Sequence, residues 1–170
     1  MLRSCDAFGV QRLHILERVE TFLASRTVAR GAERWVDVRC YSDLAASLEA
    51  LQRSGHELVA THPHGELVPS DLASIPRLAL VLGNERHGID AELESLCRRR
   101  VRVPMRGFVE SLNVSVTGAI LLEQATRGRP GDLDQAEREL LYARALVLTV
   151  PHAPDILRSK GFSLDLTPSA

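Results

Sequence analysis

The sequence predicts an α/β protein, with helices layered on both faces of a mostly parallel sheet. Three observations carry this. Short β-like runs alternate with helical segments in βαβα order, and such alternation places helices on the faces of a parallel sheet. The stretch Pro76–Gly83 (PRLALVLG) is a near-continuous apolar run bounded by Pro and Gly, as expected of a strand buried on both faces. The chain has 170 residues, 45% apolar and 25% charged, which suits one domain, residues 1–170, with a sizeable core.

The elements follow in order. Arg12–Leu16 and Arg34–Tyr41 (RWVDVRCY) read as strands. Ser42 is placed to cap a helix running through Arg53, with Leu44, Leu48 and Leu51 on one face and Gly55 as its stop. Glu57–Thr61 (ELVAT) is a strand, followed by the apolar run at 76–83. Asp90–Arg98 is a short helix, Val101–Met105 a strand and Asn113–Arg127 a longer helix, broken by GRPGD at 128–132. Asp134–Leu148 forms a last helix that ends before Pro151.

Composition excludes several classes. No apolar run reaches the ~18 residues of a membrane span, and no basic–apolar–small signal pattern opens the chain. Cys5, Cys40 and Cys97 have no CxxC spacing and cannot all pair, which points to a reduced, cytoplasmic setting. Aromatics make up only 4%, against a multi-ring base-stacking platform. Net charge is −1, yet of 21 basic residues only Lys160 is not Arg. Arginine is the better bidentate phosphate binder, although a GC-rich genome gives the same bias. The local cluster Arg98, Arg99, Arg100, Arg102 and Arg106 is more suggestive of RNA.

In α/β folds, ligands sit beyond the carboxyl ends of strands. Three polar loops occupy that position: Thr61–Gly65, Gly83–Gly88 and Arg106–Asn113. GNERHG, residues 83–88, is neither GxGxxG nor a Walker loop, so a P-loop NTPase is excluded. Gly83 and Gly88 fit either a ligand cradle or plain turn geometry. His62-x-His64 has metal-like spacing, but no third ligand has matching spacing, so no metal is expected. Ser111 lacks a GxSxG elbow and does not read as a hydrolase nucleophile. The densest polar stretch is VPMRGFVESLNVSVT at 103–117. Either Ser111 or Asn113 can cap the following helix, and capping leaves the other polar groups unexplained.

Here the residues carry a resemblance. LVLGNERHGI resembles motif 2, and VPMRGFVESLNVSV motif 3, of the SpoU/TrmH family of RNA ribose 2′-O-methyltransferases, within the SPOUT superfamily. LRSCDAFGVQRLHIL resembles the second half of motif 1, from its arginine onward. ARGAERWVDV, ELVATH and the C-terminal ELLYARALVLTVPHAPDILRSKG are similar to the branch that modifies a guanosine of tRNA.

The resemblance implies a trefoil knot made by about Leu80–Leu122, a homodimer and S-adenosyl-L-methionine (AdoMet) as cofactor. It implies AdoMet contacts from Thr61, Gly83, Val103, Met105 and Leu112, and catalytic roles for Arg3, Glu85, Ser111 and Asn113. The substrate it implies is structured RNA, tRNA first and rRNA as the alternative. A guanidinium stays charged at neutral pH. Arg3 is therefore better suited to hold a phosphate and stabilise a developing alkoxide than to act as a base. The family's motif 1 starts with an Asn six residues before the arginine, a position ahead of Met1. The expectation is that the family's first strand and N-terminal helix are missing, through a start placed too late. Two rival readings are a non-catalytic RNA-binding or dimerising paralogue and a generic nucleotide-binding α/β protein. Calorimetry with AdoMet, ATP and NAD separates the last.

Overall fold

Residues 1–16, 31–84 and 87–163 are described by the computed structural model. Every pairing between strands among them is parallel, as the βαβα order requires. The strands are β1 (Arg12–Leu16), β2 (Asp37–Tyr41), β3 (Glu57–Thr61), β4 (Leu78–Val81) and β5 (Arg99–Val101). Among the described residues they form two sheets, β1-β2 and β4-β3-β5, where one was expected. β1 and β2 pair in register from Arg12↔Asp37 to Leu16↔Tyr41. β3 lies between β4 and β5, with Val59 opposite both Leu80 and Arg99.

Burial corrects the reading of Pro76–Gly83 as a strand covered on both faces. The run supplies β4, but of its residues Val81 alone is buried, and among the described residues β4 is paired on one side only. The central strand is β3, whose Val59 and Ala60 have no exposed surface. Other boundaries also shifted. The strand expected at Arg34–Tyr41 begins at Asp37, after a 3₁₀ turn at Ala32–Arg34. β5 runs over Arg99–Val101 and ends where Val101 forms a parallel bridge with Leu67, Leu67 N–H donating to Arg100 O and Arg102 N–H to Leu67 O, each at 3.0 Å. Pro104 then offers no N–H for further pairing.

The helices of the first compact unit, Met1–Arg129, are α1 (Leu2–Ala7), α2 (Leu44–Arg53), α3 (Ala91–Ser95) and α4 (Val114–Thr126). At α2 the Asp43 carboxylate, rather than Ser42, accepts from Ala45 N–H at 2.7 Å. Gly55 then turns the chain at φ 69°, a left-handed conformation that disfavours side chains. α4 links two apolar clusters. Leu122 joins Leu2, Cys5, Ala32 and Val36, while Leu121 joins Val59, Leu72, Ile75, Val101 and Ala125. Leu80 of β4 packs against both. Arg129 closes the unit. Its guanidinium donates to the carbonyls of Leu72, Ala73, Ile75 and Pro76, at the end of the 3₁₀ segment Pro69–Ser74 and just beyond it.

The second unit, Pro130–Ala170, contains α5 (Gln135–Thr149) and α6 (Ala153–Ser159). Asp134 and Glu137 form a capping box at the start of α5, each side chain accepting the other's backbone N–H. α5 leaves Leu140, Tyr142, Leu146 and Leu148 exposed. No described helix is long and apolar enough to cross a membrane.

Candidate active site

The carboxyl ends of β3, β4 and β5 lie side by side, so their loops share one edge of the sheet. Thr61, last residue of β3, donates its hydroxyl to Val81 O at 3.1 Å and ties the ends of β3 and β4 together. His62 N–H donates to Val101 O at 3.0 Å, joining the next residue to β5. Gly65 is required where the loop crosses β5. A Cβ there would fall 2.6 Å from the Val101 carbonyl carbon and 2.8 Å from Arg102 N. The His62 and His64 rings stand 5.7 Å apart, and His62 Nδ1 accepts from His64 N–H. Among the described residues, no three His, Cys, Asp or Glu side chains gather into a group that could hold a metal ion.

The loop after β4 closes on itself. Asn84 and Gly88 exchange backbone hydrogen bonds of 3.1 and 3.0 Å, and Asn84 Oδ1 accepts from His87 N–H. Gly83 packs against the far side of this turn, with room for no side chain. Glu85, expected to be catalytic, lies outside the described residues.

The loop after β5 is different. Among the described residues, no backbone hydrogen bond is made by Val103–Leu112. Its amides and carbonyls are uncommitted, which fits them to a ligand that needs several fixed donors and acceptors. Val103 packs against the second apolar cluster, Leu112 is half-buried and Met105 is exposed. The loop ends at Asn113, which caps α4 by accepting from Ser115 N–H at 2.8 Å. The choice of cap left open by the sequence is thereby settled. Ser111 is exposed, and its hydroxyl has no partner among the described residues.

α1 packs across the same end of α4. The Met1 amino group approaches Ser115 Oγ at 3.5 Å, and the Met1 side chain lies over Gly118, where a Cβ would collide with it. Leu2 and Cys5 point into the core, where burial raises the Cys5 thiol pKa, and Arg3 is exposed on the outer face. Arg3 thus stands two residues along from the Ser115 contact and makes no ion pair among the described residues. Among the described residues, no hydrogen bond or ion pair links it to Ser111 or Asn113.

The arginine cluster divides in two. Arg99 makes a bidentate pair with Glu57, at 2.6 and 2.9 Å. The Arg99 guanidinium holds the Glu57 carboxyl below its usual range. Arg100 pairs with Glu94 at 2.9 Å, and its N–H donates to Glu66, whose carboxyl is likewise held low. Arg98, Arg102 and Arg106 are exposed and make no side-chain hydrogen bond or ion pair among the described residues. The sequence flagged all five without this division. It assigned no role to Phe108, which is fully exposed in the loop after β5.

This arrangement can be compared with known proteins. The SpoU rRNA Methylase family profile matches residues 1–123. The chain belongs to this family. A SpoU/TrmH relative, the tRNA (guanosine(18)-2′-O)-methyltransferase of Escherichia coli K12, is 30% identical over 130 residues, 76% of this chain and 57% of the relative. The chain therefore spans little more than half the length of that protein. The crystal structure of the A. aeolicus TrmH/SpoU tRNA modifying enzyme superposes with a TM-score of 0.73 at 26% identity, covering 88% of this chain and 81% of that one. An AdoMet-bound rRNA methyltransferase from Sinorhizobium meliloti superposes at 0.64 and 26%, over 76% of this chain and 51% of that one. The α/β architecture with parallel sheets is that of this family's structures.

Proposed function

We propose that the protein transfers the methyl group of AdoMet to a ribose 2′-hydroxyl of structured RNA, with tRNA as the substrate. The observation that carries the reading is the loop Val103–Leu112, whose backbone is unpaired at the shared carboxyl edge of three parallel strands. It lies within the segment matched by the SpoU profile. The name of the E. coli relative supports the substrate and the reaction. The bound ligand of the S. meliloti structure supports the cofactor.

The chain's own residues fit AdoMet. The free amides and carbonyls from Val103 through Leu112 suit the edge of an adenine, with Thr61 and Gly83 on the neighbouring loops. Backbone groups recognise it without ordering flexible side chains. When bound, AdoMet supplies an electrophilic sulfonium methyl.

The other roles follow from what each side chain already does. Asn113 is committed to capping α4, so it positions the loop. Ser111 is free to orient the ribose. Arg3 carries a permanent positive charge, able to hold a phosphate and stabilise the 2′-alkoxide as its proton passes to solvent water. Alignment of the reacting atoms supplies up to ~7–11 kcal/mol of barrier reduction. Glu85 belongs to the same proposal through the family motif.

The finer architecture is part of this reading: one SpoU-type domain over residues 1–170, a trefoil knot over about Leu80–Leu122, a homodimer and a cytoplasmic location. Exposed Leu140 and Leu146 on α5 support self-association. Titration calorimetry with AdoMet, ATP and NAD tests the cofactor. AdoMet binding with no heat from ATP or NAD is expected. A preference for either nucleotide would overturn the proposal in favour of a generic nucleotide-binding protein.

A further inference from the structure

Phe108 is a large ring left fully exposed on the loop after β5, three residues before Ser111. A covered phenyl ring buries about 150–250 Å², and nothing in the fold covers this one. The flanking charges are open as well. Arg102 and Arg106 are exposed and unpaired, whereas the neighbouring Arg99 and Arg100 are tied to Glu57 and Glu94. Glu110 is the single acid of the stretch, so the loop from Arg102 to Asn113 carries a net positive charge. Gly107, between Arg106 and Phe108, lies in open space, where an added Cβ would meet nothing within 4 Å.

We propose that Phe108 stacks on one unpaired base of the RNA substrate while Arg102 and Arg106 hold the phosphates beside it. This rests on the function proposed above and adds the residues that seat the target nucleotide. An aromatic face accepts any base, and arginines on the same loop match the flanking backbone. In an A-form helix the bases are already stacked on one another, so the ring selects a nucleotide in a loop or bulge. The low aromatic content excludes a platform of several rings, and one base needs only one. A second copy of the chain is a poorer occupant. A twofold contact centred here would bring Arg102 and Arg106 against their own counterparts, without acids in number to offset them.

The test measures bulk bacterial tRNA binding at two salt concentrations for wild type, Phe108→Ala, Phe108→Leu, Phe108→Trp and Arg106→Gln, with particle mass by light scattering. The ring is exposed, so these variants keep the fold. Phe108→Ala and Phe108→Leu should both weaken binding on the order of 5- to 150-fold, with Phe108→Trp near wild type and particle mass unchanged. Arg106→Gln should lower the salt slope by about 1. Equal binding by wild type and Phe108→Ala overturns the proposal. So does full retention by Phe108→Leu, which points to a generic apolar contact. A smaller particle for Phe108→Ala also overturns it and assigns the face to a second copy. If wild type itself holds no tRNA, the RNA methyltransferase reading fails and this proposal fails with it.

Discussion

Gly83 and Gly88 lie back to back, so close that a Cβ on Gly83 would fall 2.6 Å from the Gly88 carbonyl oxygen and 2.5 Å from Ile89 N. The atoms in the way are backbone, so no rotamer change relieves the overlap. Gly83→Ala should therefore destabilise the protein by about 1–3 kcal/mol and weaken AdoMet binding with it. Urea unfolding and calorimetry check the two effects. Full stability in Gly83→Ala would show that the turn can open freely.

Ser111 and Asn113 should separate chemistry from structure. Asn113→Ala removes the α4 cap and should cost about 1 kcal/mol, with Asn113→Asp close to wild type. Ser111→Ala removes no hydrogen bond of the fold, so its unfolding curve should overlay the wild type. Loss of methyl transfer in Ser111→Ala at unchanged stability assigns it to the ribose. Unchanged transfer removes it from the site.

Arg129 ends the first unit by satisfying the carbonyls of Leu72, Ala73, Ile75 and Pro76. Arg129→Ala leaves them without their charged donor and should lower stability by about 1.5–3 kcal/mol. Arg129→Lys should restore only part of it, because an ammonium lacks the planar fork. Denaturant midpoints of the three proteins decide this.

Two pH dependences follow, one from each sheet. Glu57 is held below its ordinary carboxylate value of 4.5 by Arg99. Its contribution is complete above that value and is lost as pH falls through the depressed one. The stability gap between wild type and Glu57→Gln should thus close in strong acid.

His14 acts nearer neutrality. Its ring stacks on Tyr41 with centroids 5.5 Å apart, and its buried Nδ1 has no hydrogen-bond partner. Burial first, then the charges of Arg39, His56 and Arg12, lower its pKa below 6.5. The neutral ring's contribution is full above 6.5 and fades as pH falls through the folded value. His14→Phe should flatten the decline in urea midpoint between pH 7 and pH 5. An identical decline in both proteins would place the acid sensitivity elsewhere.

The fold was most legible where local signals sufficed. The runs RLHIL and ELVAT gave β1 and β3 their ends, and the polar entry to α4 marked its cap. Pairing partners were less visible. The apolar run at 76–83 showed that β4 meets apolar neighbours, but an edge strand that serves two core clusters looks the same as a central one. β5 falls at Arg99–Val101 because that is where it pairs with Val59–Thr61 of β3, a partner distant in sequence. The arginine cluster was seen as a block because the acids that pair Arg99 and Arg100 lie 42 and 6 residues away. Six-residue α1 and the exposure of Phe108 had no periodic signature at all.

The central claim is methyl transfer to ribose. Incubation with methyl-tritiated AdoMet and bulk tRNA, followed by nuclease digestion and mass spectrometry of the nucleosides, tests it most directly. Label should appear in a 2′-O-methylated nucleoside and be lost in Arg3→Ala and Ser111→Ala. Label on a base, or tRNA bound with no label transferred, would contradict it.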